Sequence, residues 1–574
     1  MHTVETVLLV LMLGALTGIA ARYVRAIPLP LIQIALGALI AWPQDGLHIA
    51  FDPELFLLLF IPPLLFADGW RIPKREFFAL AKPILLLAFG LVFITVFGLG
   101  YLIHWMIPSI PLTVAFALAA VVSPTDAVAV SAISRNLGMP SKTMHLLEGE
   151  SLLNDASGLV ALKFAVAATL TAGSFSWENA AKDFTWMSVG GLGLGALMGW
   201  GFSRGRDMVT RRVGDVAATQ MVLLLILLPF ASYIMGEYIG VSGILSAVAA
   251  GIATNFADLV RSYVLSERLQ TEGTWSLVEA AFNGAIFLLL GLQLPSIIGE
   301  TLRGAAHRDV WLLLGYVAAI SCALLALRWA WLMLGVRSSL HKAHRQGRMV
   351  ERPSALLTLA TTVAGIRGAV TLAAALSIPT HLANGRVFPE RNLLIFLATG
   401  TILFTLVLGS IVLPLLLRRI PPVEDTQAQH EERLARTAAC QAAIASLALP
   451  EDQAQQHSAQ WLAQHQEVAG RITQEYRNRI QLLDESGVAN TPEAQSDSPE
   501  VVHERRLRYL REIELRLHCI QVERNTLYAE RQAHRINDEM LRSMVSELDT
   551  SEVSLRKRLA VARRAVGLPP LEGH

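Results

Sequence analysis

The chain has 574 residues, 53% of them hydrophobic and 17% charged, and a mean hydropathy of +0.45. These values exclude an ordinary soluble enzyme and point to a membrane protein. The formal net charge of +1 averages an apolar stretch up to Arg419 and a polar stretch after it, so it gives no reason to expect a nucleic-acid partner.

Residues 4–21 are apolar but are followed by further spans, so they are read as the first span rather than as a cleaved leader. Thirteen apolar segments of spanning length occur in order: 3–21, 29–43, 54–69, 80–103, 112–134, 143–171, 186–203, 216–236, 238–255, 273–298, 310–336, 353–378 and 391–417. A straight span takes about 20 residues, and tilt and local bilayer thickness accommodate the shorter ones. The loops after odd-numbered segments carry the basic residues: Arg22 and Arg25; Arg71, Lys74, Arg75 and Lys82; Arg135 and Lys142; Arg204, Arg206, Arg211 and Arg212; Arg261 and Arg268; Arg337, Lys342, Arg345, Arg348 and Arg352. The loops after even-numbered segments hold only Lys182, Arg303, Arg308, Arg386 and Arg391. Because basic loops stay cytoplasmic, this alternation places the amino terminus outside and the tail inside a bacterial inner membrane.

Pro421 and Pro422 end the last span, dividing the chain into a transmembrane domain, 1–420, and a helical cytoplasmic tail, 421–574. In the tail, 427–447 and 458–483 read as helices and 490–499 as a linker. Leu510, Ile513, Leu517 and Ile520 recur at helical spacing, as do Ile536, Met540, Met544 and Leu548 more loosely. Two readings fit: a solvated helical hairpin, or a regulatory or dimer-forming coiled coil. Cys322, Cys440 and Cys519 are far apart, form no metal spacing, and suit a reducing cytosol.

Charges at bilayer depth are costly and mark function. Asp126, Asp155 and Arg367 lie inside spans five, six and twelve, roughly 12–24 Å from a span end at 1.5 Å per residue. Lys163 and Arg328 lie toward span ends on long stems that reach an interface. In span six, Glu150 and Asn154 are four apart, as are Ser151 and Asp155, so all four sit on one helix face. Carboxylate, amide and hydroxyl oxygens suit a hard cation. Pro124 beside Asp126, and Thr361, Thr362, Gly365 and Gly368 around Arg367, predict two helices broken at the midplane, where carbonyls and half-helix ends line a transport site. Arg367 either compensates those half-helix ends or pairs with Asp126 or Glu150, leaving Asp155 unpaired. Burial disfavours an ionised carboxyl and a bound cation favours it, so proton and cation compete for Asp155. Neutral Asn154 beside it predicts one cation for one proton, with no net charge moved.

The stretches Glu150-Ser151-Leu152-Leu153-Asn154-Asp155, Thr125-Asp126-Ala127-Val128-Ala129-Val130 and Gly365-Ile366-Arg367-Gly368-Ala369-Val370 resemble the signatures of sodium/proton antiporters of the first monovalent cation:proton antiporter family. The resemblance covers all thirteen spans. It implies an all-α polytopic fold of about 13 transmembrane helices, with inverted repeats, two crossed discontinuous helices, a dimerisation bundle and a mobile six-helix core. It implies a lipid-embedded homodimer, no cofactor, and Na+ with possible K+ or Li+ exchanged for H+. Asp155, Asn154, Asp126, Thr125 and Ser151 are then the ion and proton site, with Asp155, Asp126, Ser151 and Thr125 around the cation. Glu150 and Arg367 are a structural ion pair, and Asn283 lies close to the site. One departure is visible in Pro62-Pro63-Leu64-Leu65-Phe66-Ala67-Asp68-Gly69, where the family's glutamate is Ala67 and an acid follows as Asp68, about 100° further round the helix.

A cation channel is the rival class, but no filter-like repeat is present. A potassium/proton antiporter regulated by its tail is a nearer alternative. An intramembrane serine protease, prompted by Gly240-Val241-Ser242-Gly243, lacks a histidine inside any later span to act as base. Gly191, Gly195 and Gly199 are spaced for close helix approach, within one protomer or across a dimer face.

Overall fold

A computed structural model describes residues 2–21, 27–42, 58–134, 137, 139–170, 177–213, 218–258, 265–304, 309–345, 354–381, 387–420, 437–438, 440–447, 459–485, 499–532 and 538–565. Pro421, Pro422, residues 427–436 and 490–498, Ile536, His307, and the loop residues Arg22, Arg25, Arg135, Arg261, Arg308, Arg348, Arg352 and Arg386 lie outside the described residues.

The described helices are α1 (His2–Ala20), α2 (Leu29–Ala41), α3 (Ile61–Arg71), α4 (Lys74–Ala79), α5 (Ala81–Met106), α6 (Leu112–Val122), α7 (Ala127–Ser134), α8 (Ser141–Leu170), α9 (Trp177–Val213), α10 (Ala218–Ile239), α11 (Gly243–Asp258), α12 (Leu265–Gly304), α13 (Val310–Arg345), α14 (Ala355–Val363), α15 (Ala369–Leu376) and α16 (Arg391–Leu417). Each of the thirteen apolar segments contains one of these helices or a helix pair. Seven described helices are long and apolar enough to cross a membrane by length and composition, and three more are shorter apolar helices. Contacts divide the chain into Met1–Val423 and Glu424–His574.

Within the first unit, α6 is buried on nearly every side, from Val114 to Val122 apart from Phe116. That all-round burial is what a helix apolar in every direction requires. It packs against α5, α8, α15 and α16. On the other flank, α9 lies against α11 through Gly191, Gly195 and Gly199, which face the backbone of Ser242, Ser246 and Ala250. A Cβ at Gly195 would overlap the Ser246 backbone. The glycine stripe therefore serves packing inside one protomer, the first of its two sequence readings. Gly14 meets Gly284 and Gly37 meets Gly291, seating α12 on α1 and α2 in the same way.

The sequence Gly240-Val241-Ser242-Gly243 is the turn joining α10 to α11. Gly240 takes φ +79°, a left-handed conformation that glycine adopts without strain. The Ser242 hydroxyl accepts from Leu245 N–H at 3.3 Å, the bond of a helix-capping serine.

The second unit contains α17 (Ala459–Glu485), α18 (Pro499–Gln532) and α19 (Asp538–Ala565). Leu510 and Ile513 are buried against Leu559 and Ala562, with Leu517 and Leu555 alongside, so α18 and α19 form a hairpin. The stripe on α19 runs further along than the expected Met540, Met544 and Leu548; Met544 is exposed. Arg524 bonds both Glu552 and Asp549 across the same seam. The three cysteines are free.

Candidate ion-binding site

The two predicted interruptions are present: α6 stops at Val122 and α7 starts at Ala127, and α14 stops at Val363 and α15 starts at Ala369. Pro124 cannot donate a helix hydrogen bond, and its ring packs where Gly158 of α8 leaves room. The two breaks touch. Asp126 N–H donates to Ile366 C=O at 2.8 Å, and Gly368 lies against the Asp126 carboxylate so closely that a Cβ there would overlap it.

Each broken end is complemented by charge. Asp126 Oδ1 accepts from Val128 N–H at 2.8 Å and Ala129 N–H at 3.2 Å, capping the positive N-terminus of α7. The Arg367 guanidinium donates to Val122 C=O at 2.9 Å through Nε, and to Gly365 C=O, compensating the negative C-terminus of α6.

α8 runs past this junction with its polar face toward it. Ser151 Oγ accepts from Ala127 N–H at 3.2 Å, and Asn154 Nδ2 donates to Thr125 Oγ1 at 2.8 Å. Asn154 Oδ1 is buried with no hydrogen-bond partner among the described residues. Asp155 is 7% exposed, and none of the described hydrogen bonds or ion pairs ends on its carboxylate. The charges acting on it are those of Asp126 and Asp68. Two residues further, Ser157 Oγ donates to Ala88 C=O at 2.6 Å. That carbonyl belongs to a π-helical turn, Leu86–Leu91, inside α5, a distortion that frees a backbone acceptor. Thr125, Asp126, Ser151 and Asn154 are thus joined around the junction, and Asp155 follows Asn154 on the same helix.

The ion pair is corrected. Glu150 pairs with Arg328 of α13, not with Arg367: Nη2 lies 2.8 Å from Oε2 and Nη1 bonds Oε1, both side chains 1% exposed. Arg328 therefore does not reach an interface. Its stem packs on Gly365, and its Nε donates to Thr361 C=O at 3.2 Å. A buried carboxylate needs a fork-shaped donor, and the sequence offered two arginines. The glycine beside Arg367 makes space for the other one, a packing relation that spacing along the chain does not reveal.

Asp68 is exposed although Ala67 and Gly69 beside it are buried. It shares an electrostatic neighbourhood with Glu279, Asp126, Glu148 and Arg71, and Arg71 in turn binds Glu279 of α12. Asn283 is half-buried on α12 beside the Gly284 contact to α1, and none of the described hydrogen bonds joins it to Asp155.

Residues 8–419 match the family described as sodium/hydrogen exchanger, transmembrane. The chain is 42% identical over 556 residues to the uncharacterized Na+/H+ exchanger YjcE of Escherichia coli, covering 96% of this chain and 98% of that one. It is 45% identical over 411 residues to a Bacillus subtilis protein named sodium, potassium, lithium and rubidium/H+ antiporter, covering 71% of this chain and 61% of that one. It thus spans less than two thirds of the Bacillus protein's length. Its fold resembles that of the sodium proton antiporter MjNhaP1 of Methanocaldococcus jannaschii, at a TM-score of 0.56 and 17% identity over 73% of this chain and 98% of that one. The chain is therefore a multi-pass membrane protein that belongs to the sodium/hydrogen exchanger family.

Proposed function

We propose that this protein exchanges a monovalent cation for a proton at Asp155, one for one and without net charge movement. The observation that carries this reading is a nearly buried carboxylate with no hydrogen-bond or ion-pair partner among the described residues, close to where two broken helices meet. Such a group is stabilised either by a proton or by a cation, and each excludes the other. Asn154, Thr125, Ser151 and Asp126 complete an oxygen-lined cradle in which the cation is cargo, and no resident cofactor is needed. Because Glu150 is neutralised by Arg328 and Asp126 caps α7, one carboxylate changes its load per cycle.

In this scheme two crossed, discontinuous helices from inverted repeats carry the site in a core that moves against a dimerisation bundle, giving alternating access. The protein acts as a homodimer in the bacterial inner membrane, with its amino terminus outside and its tail regulating from the cytoplasm, and it serves pH and cation homeostasis. Sodium is the leading cargo. A broader range including potassium and lithium is favoured by the similarity to the Bacillus sodium, potassium, lithium and rubidium/H+ antiporter.

The test is dequenching of a pH dye in proteoliposomes, with Na+, K+ and Li+ added in turn. Wild-type exchange is expected to persist when a permeant lipophilic ion collapses the voltage, and Asp155→Asn is expected to show none. A variant that exchanges at the wild-type rate overturns the assignment. Currents at channel rates select the rival class.

A further inference from the structure

α8 carries the site, and its outer half meets the α10–α11 corner in two successive layers. The inner layer is apolar: Ala156 and Val160 of α8 are buried against Leu245 of α11, with Phe164 packed alongside. The outer layer is ionic: Lys163 Nζ lies 3.2 Å from Glu237 Oε1. Among the described residues this is the one ion pair joining α8 to the α9–α11 group. The layers follow in order from Asp155. Ala156 is its neighbour, and Lys163 is about 12 Å further along the helix.

Glu237 is held in place from its own side. The same Oε1 accepts from Gly243 N–H at 3.2 Å, at the first turn of α11. The turn behind it is pinned by Val241 N–H to Gly236 C=O at 2.9 Å. A carboxylate fixed at a helix N-terminus is a preorganised anion, so Lys163 is the mobile half of the pair.

We propose that Lys163 and Glu237 are positioning residues that hold the Ala156–Val160–Leu245 seal closed and so deny the outer solution access to Asp155. This rests on the exchange reading for its role in the cycle, whereas the seal is a property of the fold. Opening on that side requires α8 to slide or turn against α11, which separates Lys163 from a Glu237 that cannot follow.

The test uses the full chain in membranes, with Cys322, Cys440 and Cys519 replaced by serine and Val160→Cys as reporter. The rate of labelling by a membrane-impermeant maleimide is compared between spheroplasts and everted vesicles. Slow labelling from the spheroplast side is expected with Lys163 present. Lys163→Gln is expected to label about three- to fivefold faster there, the size of one partly exposed ion pair, and Lys163→Arg is expected to restore slow labelling. An unchanged rate in Lys163→Gln, or equal rates in Lys163→Arg and Lys163→Gln, overturns the proposal. Labelling as fast as in denatured protein would mark misfolding; in that case the Val160→Cys, Leu245→Cys pair decides, since a disulfide must form in membranes and stop dye-reported exchange until it is reduced. Failure to cross-link, or unaltered exchange when cross-linked, also overturns it. Labelling needs no transport, so a wild type that moves no ion while following the labelling pattern would sink the exchange reading and leave the seal standing.

Discussion

Each buried charge of the first unit has a different solution, and the differences assign roles. Glu150 and Arg328 satisfy each other through two hydrogen bonds, both side chains buried. Removing one member of a fully buried pair strands the other charge. Glu150→Gln is therefore expected to destabilise the detergent-solubilised protein by about 3–5 kcal/mol, read as a fall in unfolding temperature, whereas Glu150→Leu combined with Arg328→Met should recover most of that loss. Arg367 makes no ion pair among those described but binds two carbonyls in fixed directions. Arg367→Lys keeps the charge and loses the planar fork, so exchange should fall severalfold in the dye assay while protein yield is maintained. The sequence grouped Asp155, Asn154, Ser151 and Glu150 because helical spacing alone stacks residues four apart. It did not place the partner of Glu150, because two arginines on different helices compete for it and the choice depends on which helix lies adjacent. It also gave no sign that Ala88 would offer its carbonyl to Ser157, since a π turn leaves no residue signature of its own.

At the scale of helices, small residues decide where backbones meet. Gly193 has nothing within 4 Å of a built Cβ, but Gly195, two residues on, lies against the Ser246 backbone. Gly193→Ala should accordingly be neutral or stabilising by up to about 1 kcal/mol, from helix propensity alone. Gly195→Ala should destabilise by about 1–3 kcal/mol, because α9 and α11 must part to admit the methyl group. A pair of melting curves distinguishes them. The apolar segments were legible as helices because the bilayer demands long hydrophobic runs. The breaks were legible because proline and clustered glycine are incompatible with a continuous ladder. The register of one broken helix against the other was not legible: it is fixed by the Asp126 N–H to Ile366 C=O bond, and every residue type supplies those two groups.

The chain as a whole combines a hydrophobic unit with a polar one of a different chemistry. In the tail hairpin, hydrogen bonds from Arg524 and Arg556 hold the Glu552 carboxyl below its usual range. A depressed carboxyl contributes stability at pH values above its unfolded value, and that contribution disappears as pH falls through the lower, folded value. Protection factors for hydrogen exchange across α18 and α19 in the full-length protein, corrected for the intrinsic pH dependence of exchange, should therefore be uniform from neutral to mildly acidic pH and fall below about pH 4. In Glu552→Gln this acid limb should be much reduced. The sequence showed the α18 stripe but not the residues of α19 that cover it, because Met544 satisfies a loose periodicity and is exposed, whereas Leu559 and Ala562 are buried. In the first unit, the mutual bonding of the two interruptions has a mechanical result. With Asp126 tied to Ile366 and Arg367 tied to Val122, neither interrupted segment can shift across the bilayer alone without exposing bare amide groups to hydrocarbon. Any displacement of one segment along the membrane normal therefore takes the other with it, as one rigid cassette.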